Sequence, residues 1–233
     1  MSGPSRAEWT ELYSETLDSD ACLMPTDPLP FVDEIEAILS EESCERVLEA
    51  AAGEGRNTQR LAETVSEYHA CDISADALKT CKRRAGSQAT IREADIRSLP
   101  YTSPFGATIL LDALTHFRDV ELVLRELQRV TETGGYVIFN MPIDGDDAAT
   151  NGELIADYGP LCEYEYRNDN YSTTYMFISN YRQFCELLSS LQLPIDCVSS
   201  WEWRDPPHPE YRNETHDHKN LLLYARVTDA RGN

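Results

Sequence analysis

This sequence predicts a three-layer α/β/α fold with a mostly parallel sheet, on three observations. Short strands alternate with amphipathic helices from Arg46 to Asn140, the strands are apolar along their whole length, and one strand after another ends in a carboxylate. Strands without a polar face need cover on both sides, which flanking helices supply. Right-handed crossovers then gather the carboxyl ends of the strands on one edge of the sheet.

The 233 residues suit one sizeable domain with modest additions. Residues 1–43 read as an N-terminal helical arm or lid. Glu8 to Tyr13 has a short helical pattern, and Pro25, Pro28 and Pro30 force an extended connection. Phe31 to Leu39 resumes a helix with Ile35, Ile38 and Leu39 on one face. Such a lid would bring Trp9 and Tyr13 to a ligand.

Residues 44–233 read as the domain proper. Val47-Leu48 is a strand ending in Glu49, followed by the small-residue turn Ala50-Ala51-Ala52-Gly53-Glu54-Gly55. A helix begins near Asn57-Thr58 and buries Leu61, Ala62 and Val65. Strand, tight glycine turn and helix form the first half of a nucleotide-binding unit, the glycines letting a ligand approach the backbone. Tyr68–Cys71 is a second strand, ending at Asp72-Ile73, and Ser74 caps a helix over Ala75–Ala85 that Gly86 stops. Thr90–Glu93 is a third, leading to Asp95-Ile96, and Ala107–Leu111 a fourth, ending at Asp112. The helix from Asp119 carries Val120, Val123, Leu124, Leu127 and Val130 at helical spacing. Gly134-Gly135 closes it before a fifth strand, Tyr136–Asn140.

Met141 to Gly159 reads as a polar loop, and about 160–178 as an inserted β-hairpin turning at Arg167-Asn168-Asp169-Asn170. A helix over Tyr181–Leu191 follows, then two antiparallel strands, Ile195–Trp203 and Asn220–Val227. Residues 205–219 are left as a long connection carrying His208, Tyr211 and His216, candidates for substrate contact. His216 and His218 share a face of an extended chain, but no third ligand stands at a diagnostic spacing, so no metal site is expected.

The chain has 41 acidic and 20 basic residues, a net charge of −21, and Lys79, Lys82 and Lys219 are its only lysines. The acid is spread along the whole length, so it is a property of the surface, of the kind that keeps a protein hydrated in strong salt; a halophilic setting is expected. With no basic stripe to release counterions, a nucleic-acid partner is not expected. No apolar run approaches the ~18 residues needed to span a bilayer, so a membrane role is not expected either, and a cytoplasmic location is. The 7 cysteines lack C-x-x-C spacing and read as core residues, Cys71 and Cys197 in buried strands.

The order of motifs over residues 44–141 resembles the class I S-adenosylmethionine-dependent methyltransferases, which have a Rossmann-like sheet with an antiparallel C-terminal strand. The resemblance implies a cofactor, S-adenosyl-L-methionine, bound by Glu49, Ala51, Gly53, Gly55, Asp72, Ile73, Asp95, Ile96 and Asp112. In that family the acid after the second strand, here Asp72, receives the ribose hydroxyls. Asp95-Ile96 matches the pair meeting adenine, and the stretch from Asp112 to Phe117 borders the sulfonium and substrate. Ala51 departs from the pattern, standing where the family usually has its first glycine. A nicotinamide-dependent oxidoreductase fits less well: Thr58 replaces the third glycine, and a pyrophosphate would sit badly beside Glu49 and Glu54.

The expected activity is methyl transfer to a small-molecule acceptor, with His116 the candidate nearest the methyl group and Tyr13, His116, His208, Tyr211 and His216 on the substrate side. A non-catalytic cofactor-binding subunit and a tRNA or protein methyltransferase are the alternatives. The pattern leaves monomer and homodimer open.

Overall fold

In the computed structural model, residues 25–167, 172–208 and 214–229 are described. Trp9, Tyr13 and Tyr211 lie outside them.

The parallel half of the sheet is built from β1 (Arg46–Ala50), β2 (Glu67–Asp72), β3 (Ala89–Glu93), β4 (Phe105–Leu110) and β5 (Thr131–Pro142). Two long strands, β9 (Ile195–Asp205) and β10 (His216–Arg226), complete it in the order β3-β2-β1-β4-β5-β10-β9. Only β10 runs antiparallel, to both of its neighbours. The strand order reverses between β1 and β4, which leaves a crevice above their carboxyl ends, where ligands bind in open α/β sheets.

Period-two alternation divides the core into two layers. Leu48, Leu110 and Phe139 face α4 (Val120–Val130) and α6 (Tyr181–Ser190), packing on Val123, Leu124, Leu127, Phe184 and Leu188. Their strand neighbours Val47, Ile109 and Ile138 face the other way, toward Phe31, Ile35 and Leu39 of the segment containing α1 (Val32–Glu41). Leu61 of α2 (Thr58–Ala62) and Leu78 and Cys81 of α3 (Ala75–Ala85) complete that layer. Both ends of α3 fall where its sequence puts them. The Ser74 hydroxyl accepts the Ala77 N–H at 3.2 Å, and Gly86 stops the helix with φ +60°.

The structure corrects five expectations. The first helix is a single short turn, α2, that ends before Val65. Gly134 and Gly135 do not follow a helix end; they lie inside β5, which starts at Thr131 and is irregular there. A Cβ on Gly135 would sit 2.5 Å from the Gly106 carbonyl oxygen, so the pair permits close backbone approach within the sheet. The expected loop 141–159 contains α5 (Asp147–Thr150) and β6 (Glu153–Asp157). The insertion is therefore a three-stranded antiparallel sheet, β6 with β7 (Leu161–Arg167) and β8 (Ser172–Ile178). The expected connection 205–219 is shorter, because β9 and β10 pair as far as Asp205 and His216. Cys197 is exposed on β9, whereas Cys71 is buried.

With a net charge of −21, repulsion opposes the folded state at low salt. Raising KCl from about 0.1 M to about 1 M shortens the screening length from about 10 Å to about 3 Å. The melting temperature should rise by several degrees over that range; a flat or falling value in differential scanning calorimetry would refute the reading of the acidic surface.

Candidate functional site

The turn after β1 sets one wall of the crevice. Glu49, fully buried at the strand end, accepts hydrogen bonds on Oε2 from the Thr58 hydroxyl at 2.6 Å and the Tyr68 hydroxyl at 3.1 Å. Burial pushes its carboxyl up to about 7 against the opposing pull of those two donors. The chain then passes through three left-handed residues, Ala51 with φ +54°, Gly53 with φ +54° and Gly55 with φ +78°. Glycine adopts this region freely, while Ala51 does so at a cost of about 1–2 kcal/mol. A Cβ on Gly55 would lie 2.9 Å from Cys81 Sγ, so this glycine serves the packing of α3.

Asp72, at the end of β2, braces the turn from the neighbouring strand. Its two carboxylate oxygens accept the backbone N–H groups of Gly53 and Ser74, each at 2.8 Å. Burial raises its carboxyl, and these backbone donors offset part of that. Asp95, after β3, is gripped by Arg97, whose backbone N–H and Nε donate to Oδ1 at 2.9 Å and whose Nη2 donates to Oδ2 at 2.7 Å. Asp112, after β4, has φ +52° and is held in that strained conformation by Asn140 on β5. Its N–H donates to Asn140 Oδ1 at 2.8 Å, and its Oδ1 accepts from Asn140 Nδ2 at 2.6 Å. Burial raises the Asp112 carboxyl, but 41% of the side chain stays accessible from the crevice, so water screens much of that effect.

These strand ends enclose a cleft of about 1080 Å³, part of it open to solvent. Glu49, Ala51, Gly53, Asp72, Ile73, Asp95, Ile96 and Asp112 all line it; Gly55, the ninth residue expected there, does not. Arg56 and Arg97 line it too and were not foreseen from the sequence; Phe117, the end of the stretch expected to border the sulfonium and substrate, also lines it.

A second chamber of about 690 Å³ adjoins the first, and Arg56, Asp112 and His116 border both. Its wall carries Asp146, Tyr175, Asp205, His208, His216 and His218, so it brings together His116, His208 and His216, three of the residues named for the substrate side. His116 is held neutral, burial pushing it down to about 4, which makes it a weak proton acceptor at pH 7. Its ring lies 5.0 Å from that of Tyr175 on β8, so the inserted sheet walls this chamber. His208 is likewise pushed down to about 4, by burial first and by His216 second. Burial alone would lower His218, but the Asp146 side chain at 3.4 Å, with Asp112 and Asp205, outweighs it and raises the imidazole.

Asp205, missed in the sequence, is central to this wall. Arg56 donates to both of its oxygens, at 2.9 and 3.1 Å. Burial would raise its carboxyl; that guanidinium wins and holds it below the usual carboxylate range. The sequence sign was an arginine ending a turn of otherwise small and acidic residues. Its partner could not be found locally, because it lies at the end of β9.

Comparison with known proteins bears on the fold that carries these strand ends. Residues 48–139 match the family model described as a methyltransferase domain. A demethylmenaquinone methyltransferase of Thermobifida fusca (strain YX) is 32% identical over 107 residues, 44% of this chain and 45% of that protein. The chain thus matches about half the length of its curated relatives. An S-adenosylmethionine-dependent methyltransferase from Clostridium acetobutylicum ATCC 824 has a TM-score of 0.64 at 14% identity, over 96% of this chain and 99% of that one. The 1,6-didemethyltoxoflavin-N1-methyltransferase of Burkholderia thailandensis, solved with 1,6-didemethyltoxoflavin and S-adenosylhomocysteine bound, has a TM-score of 0.59 at 18% identity, over 96% and 87%. At these identities the likeness to solved structures is one of fold.

Two variants test the local physics. The native state binds the Glu49 proton more tightly than the unfolded chain does, so this residue's contribution to stability falls as pH rises from about 4.5 to about 7 and is level above. Glu49→Gln should lack that decline and gain on the wild type at pH 8 by up to about 3 kcal/mol. Urea melts at pH 5 and pH 8 decide it, and equal declines in both proteins would clear Glu49. Ala51→Gly relieves the left-handed alanine at a smaller entropic cost, so it should melt no lower than the wild type. A clear drop in its melting temperature would show that Ala51 carries no strain.

Proposed function

We propose that this chain, which has the fold of the class I S-adenosylmethionine-dependent methyltransferases and carries their methyltransferase domain at residues 48–139, transfers a methyl group from S-adenosylmethionine to a nucleophilic atom of a small-molecule acceptor. One observation carries the reading: a carboxylate-rimmed cleft at the strand ends adjoins a second chamber, with Asp112 and His116 bordering both. The first holds the cofactor and the second the acceptor.

In this assignment the turn at Glu49, Ala51 and Gly53 receives the amino-acid end of the cofactor, and Gly55 supports it from behind. Asp72 with Ile73 takes the ribose, Asp95 with Ile96 the adenine, and Asp112 faces the sulfonium. The cationic ammonium and sulfonium suit this acidic rim, where a pyrophosphate would be repelled. Asp72 and Asp95 already accept donors from the protein but retain lone pairs for hydroxyls and an amine. The sulfonium is an activated donor, so the protein's part is to align acceptor, methyl and leaving sulfur. A second chamber walled by the inserted sheet and the β9–β10 hairpin favours a small acceptor over a macromolecular one. The acidic surface and the free cysteines support a cytoplasmic, salt-rich setting.

Calorimetry with S-adenosylhomocysteine should give one site per chain. Asp72→Ala should weaken it about ten- to a hundredfold, the range for hydrogen bonds to a charged group. A folded wild type that does not bind would remove the cofactor assignment, and an unaltered affinity in the variant would remove the ribose role. Labelled methyl from the cofactor, offered with fractionated cell extract, should appear in small molecules. Label only in macromolecules would overturn the acceptor class, and binding without turnover would recast the chain as a partner subunit.

A further inference from the structure

We propose that Asp205, His208 and His216 form a binding site for a divalent first-row transition metal of the zinc or cobalt kind, open to the second chamber. Antiparallel pairing sets Asp205, the last residue of β9, directly opposite His216, the first of β10, and His208 follows three residues after Asp205. One ligand atom from each residue lies within 4.8 Å of the other two. All three are buried, with 4%, 4% and 3% of their surface exposed.

The donor set selects the ion. Two imidazoles and one carboxylate suit zinc, cobalt, nickel or iron, whereas magnesium and calcium call for oxygen ligands throughout. The surroundings already orient two of the ligands. His216 Nδ1 lies 3.0 Å from the Glu214 carbonyl oxygen, which can only accept, so the proton sits on Nδ1 and Nε2 is the nitrogen that can ligate. Asp205 is steadied by the Arg56 fork, as ligating carboxylates are by their own hydrogen-bond donors. Asp112 and Asp146 on the same chamber offset the charge of Arg56 against a cation.

Bonds of about 2.0–2.1 Å place tetrahedral ligand atoms about 3.3 Å apart. His208 Nε2 and Asp205 Oδ2 stand 3.9 Å apart, so small side-chain rotations close the triangle. His218 stays beside it, stacked on Trp203 at 4.7 Å, with Nε2 3.7 Å from Asp205 Oδ2. Three protein ligands leave a fourth position toward the chamber, the arrangement of catalytic rather than structural zinc sites. Where the chamber holds a methyl acceptor, that position takes an oxygen or nitrogen of it; this last step rests on the methyl-transfer reading, and metal binding itself does not.

The 233-residue protein, stripped with a chelator, is titrated with cobalt(II) and then zinc(II). One equivalent of cobalt should give the visible bands of a low-coordinate, histidine-bound ion, zinc should displace it, and magnesium should not. His208→Ala and His216→Ala should each weaken zinc binding at least about a hundredfold, while His69→Gln, far from the cluster, should not. Folded wild type that takes up neither ion at about 10 μM, or binding that survives both alanine changes together, overturns the site. Imidazole NMR of the wild type gives the answer without a variant: zinc should shift the His208 and His216 signals and leave His69 in place, and any other pattern refutes the assignment. S-adenosylhomocysteine binding is measured in parallel on the metal-free protein. Loss of metal binding with cofactor binding intact removes the metal alone; the converse removes the methyl-transfer reading alone.

Discussion

Arg56 leaves the glycine turn and crosses the crevice to Asp205, a residue 149 positions later in the chain. The two side chains are only 14% and 6% exposed. A pair so buried adds little net stability, since desolvation offsets its attraction, yet stripping away either partner costs about 3–5 kcal/mol. It therefore works as a geometric constraint. The same guanidinium donates to the Asp27 carbonyl oxygen at 2.6 Å, so one side chain fixes the approach to α1, the first turn and the last hairpin together. The partition between the two chambers is this arginine with Asp112 and His116.

The parallel half of the fold was legible because its signals are local and repeat. The central strands β1, β4 and β5 carry apolar runs, the helices α3 and α4 carry buried stripes, and the strand and helix rules agree there. They miss only the shortness of α2 and the early start of β5. The cleft was legible for the same reason: crossover handedness converts four acids at strand ends into one rim without any knowledge of side-chain contacts. What the sequence concealed is non-local. Nothing near Arg56 announces Asp205, and nothing near Asp112 announces Asn140, which reaches it from the adjacent strand. Strand β6 was hidden for another reason. Its residues Leu154 and Ile155 are exposed at 53% and 41%, so it has no buried face to write a period into the sequence. The true length of β9 and β10 was masked by polar residues that pair in the sheet and look outward or into the chamber.

Strain gathers at the same crevice. Ala51 and Asp112, both non-glycine residues in the left-handed region, follow neighbouring strands and line the same cleft. Each is held by a bond from elsewhere: the Ala52 N–H donates to the Cys71 carbonyl oxygen, and Asn140 clamps Asp112. Backbone that a free peptide would avoid is thus fixed where the site needs particular groups to face inward.

The β9–β10 ladder has one further consequence. On one face of this hairpin, Trp201 and Trp203 pack against Phe31 next to α1, and Asp205, two residues further along β9, shares that face. Across the ladder, His218 lies opposite Trp203 and His216 opposite Asp205. Side chains alternate with a period of two, so one residue inserted into β9 ahead of Trp201 would turn both tryptophans and Asp205 to the opposite face together. Tolerance of insertions in this strand is therefore set by parity: an error that takes Asp205 out of the chamber also unpacks the tryptophans from Phe31.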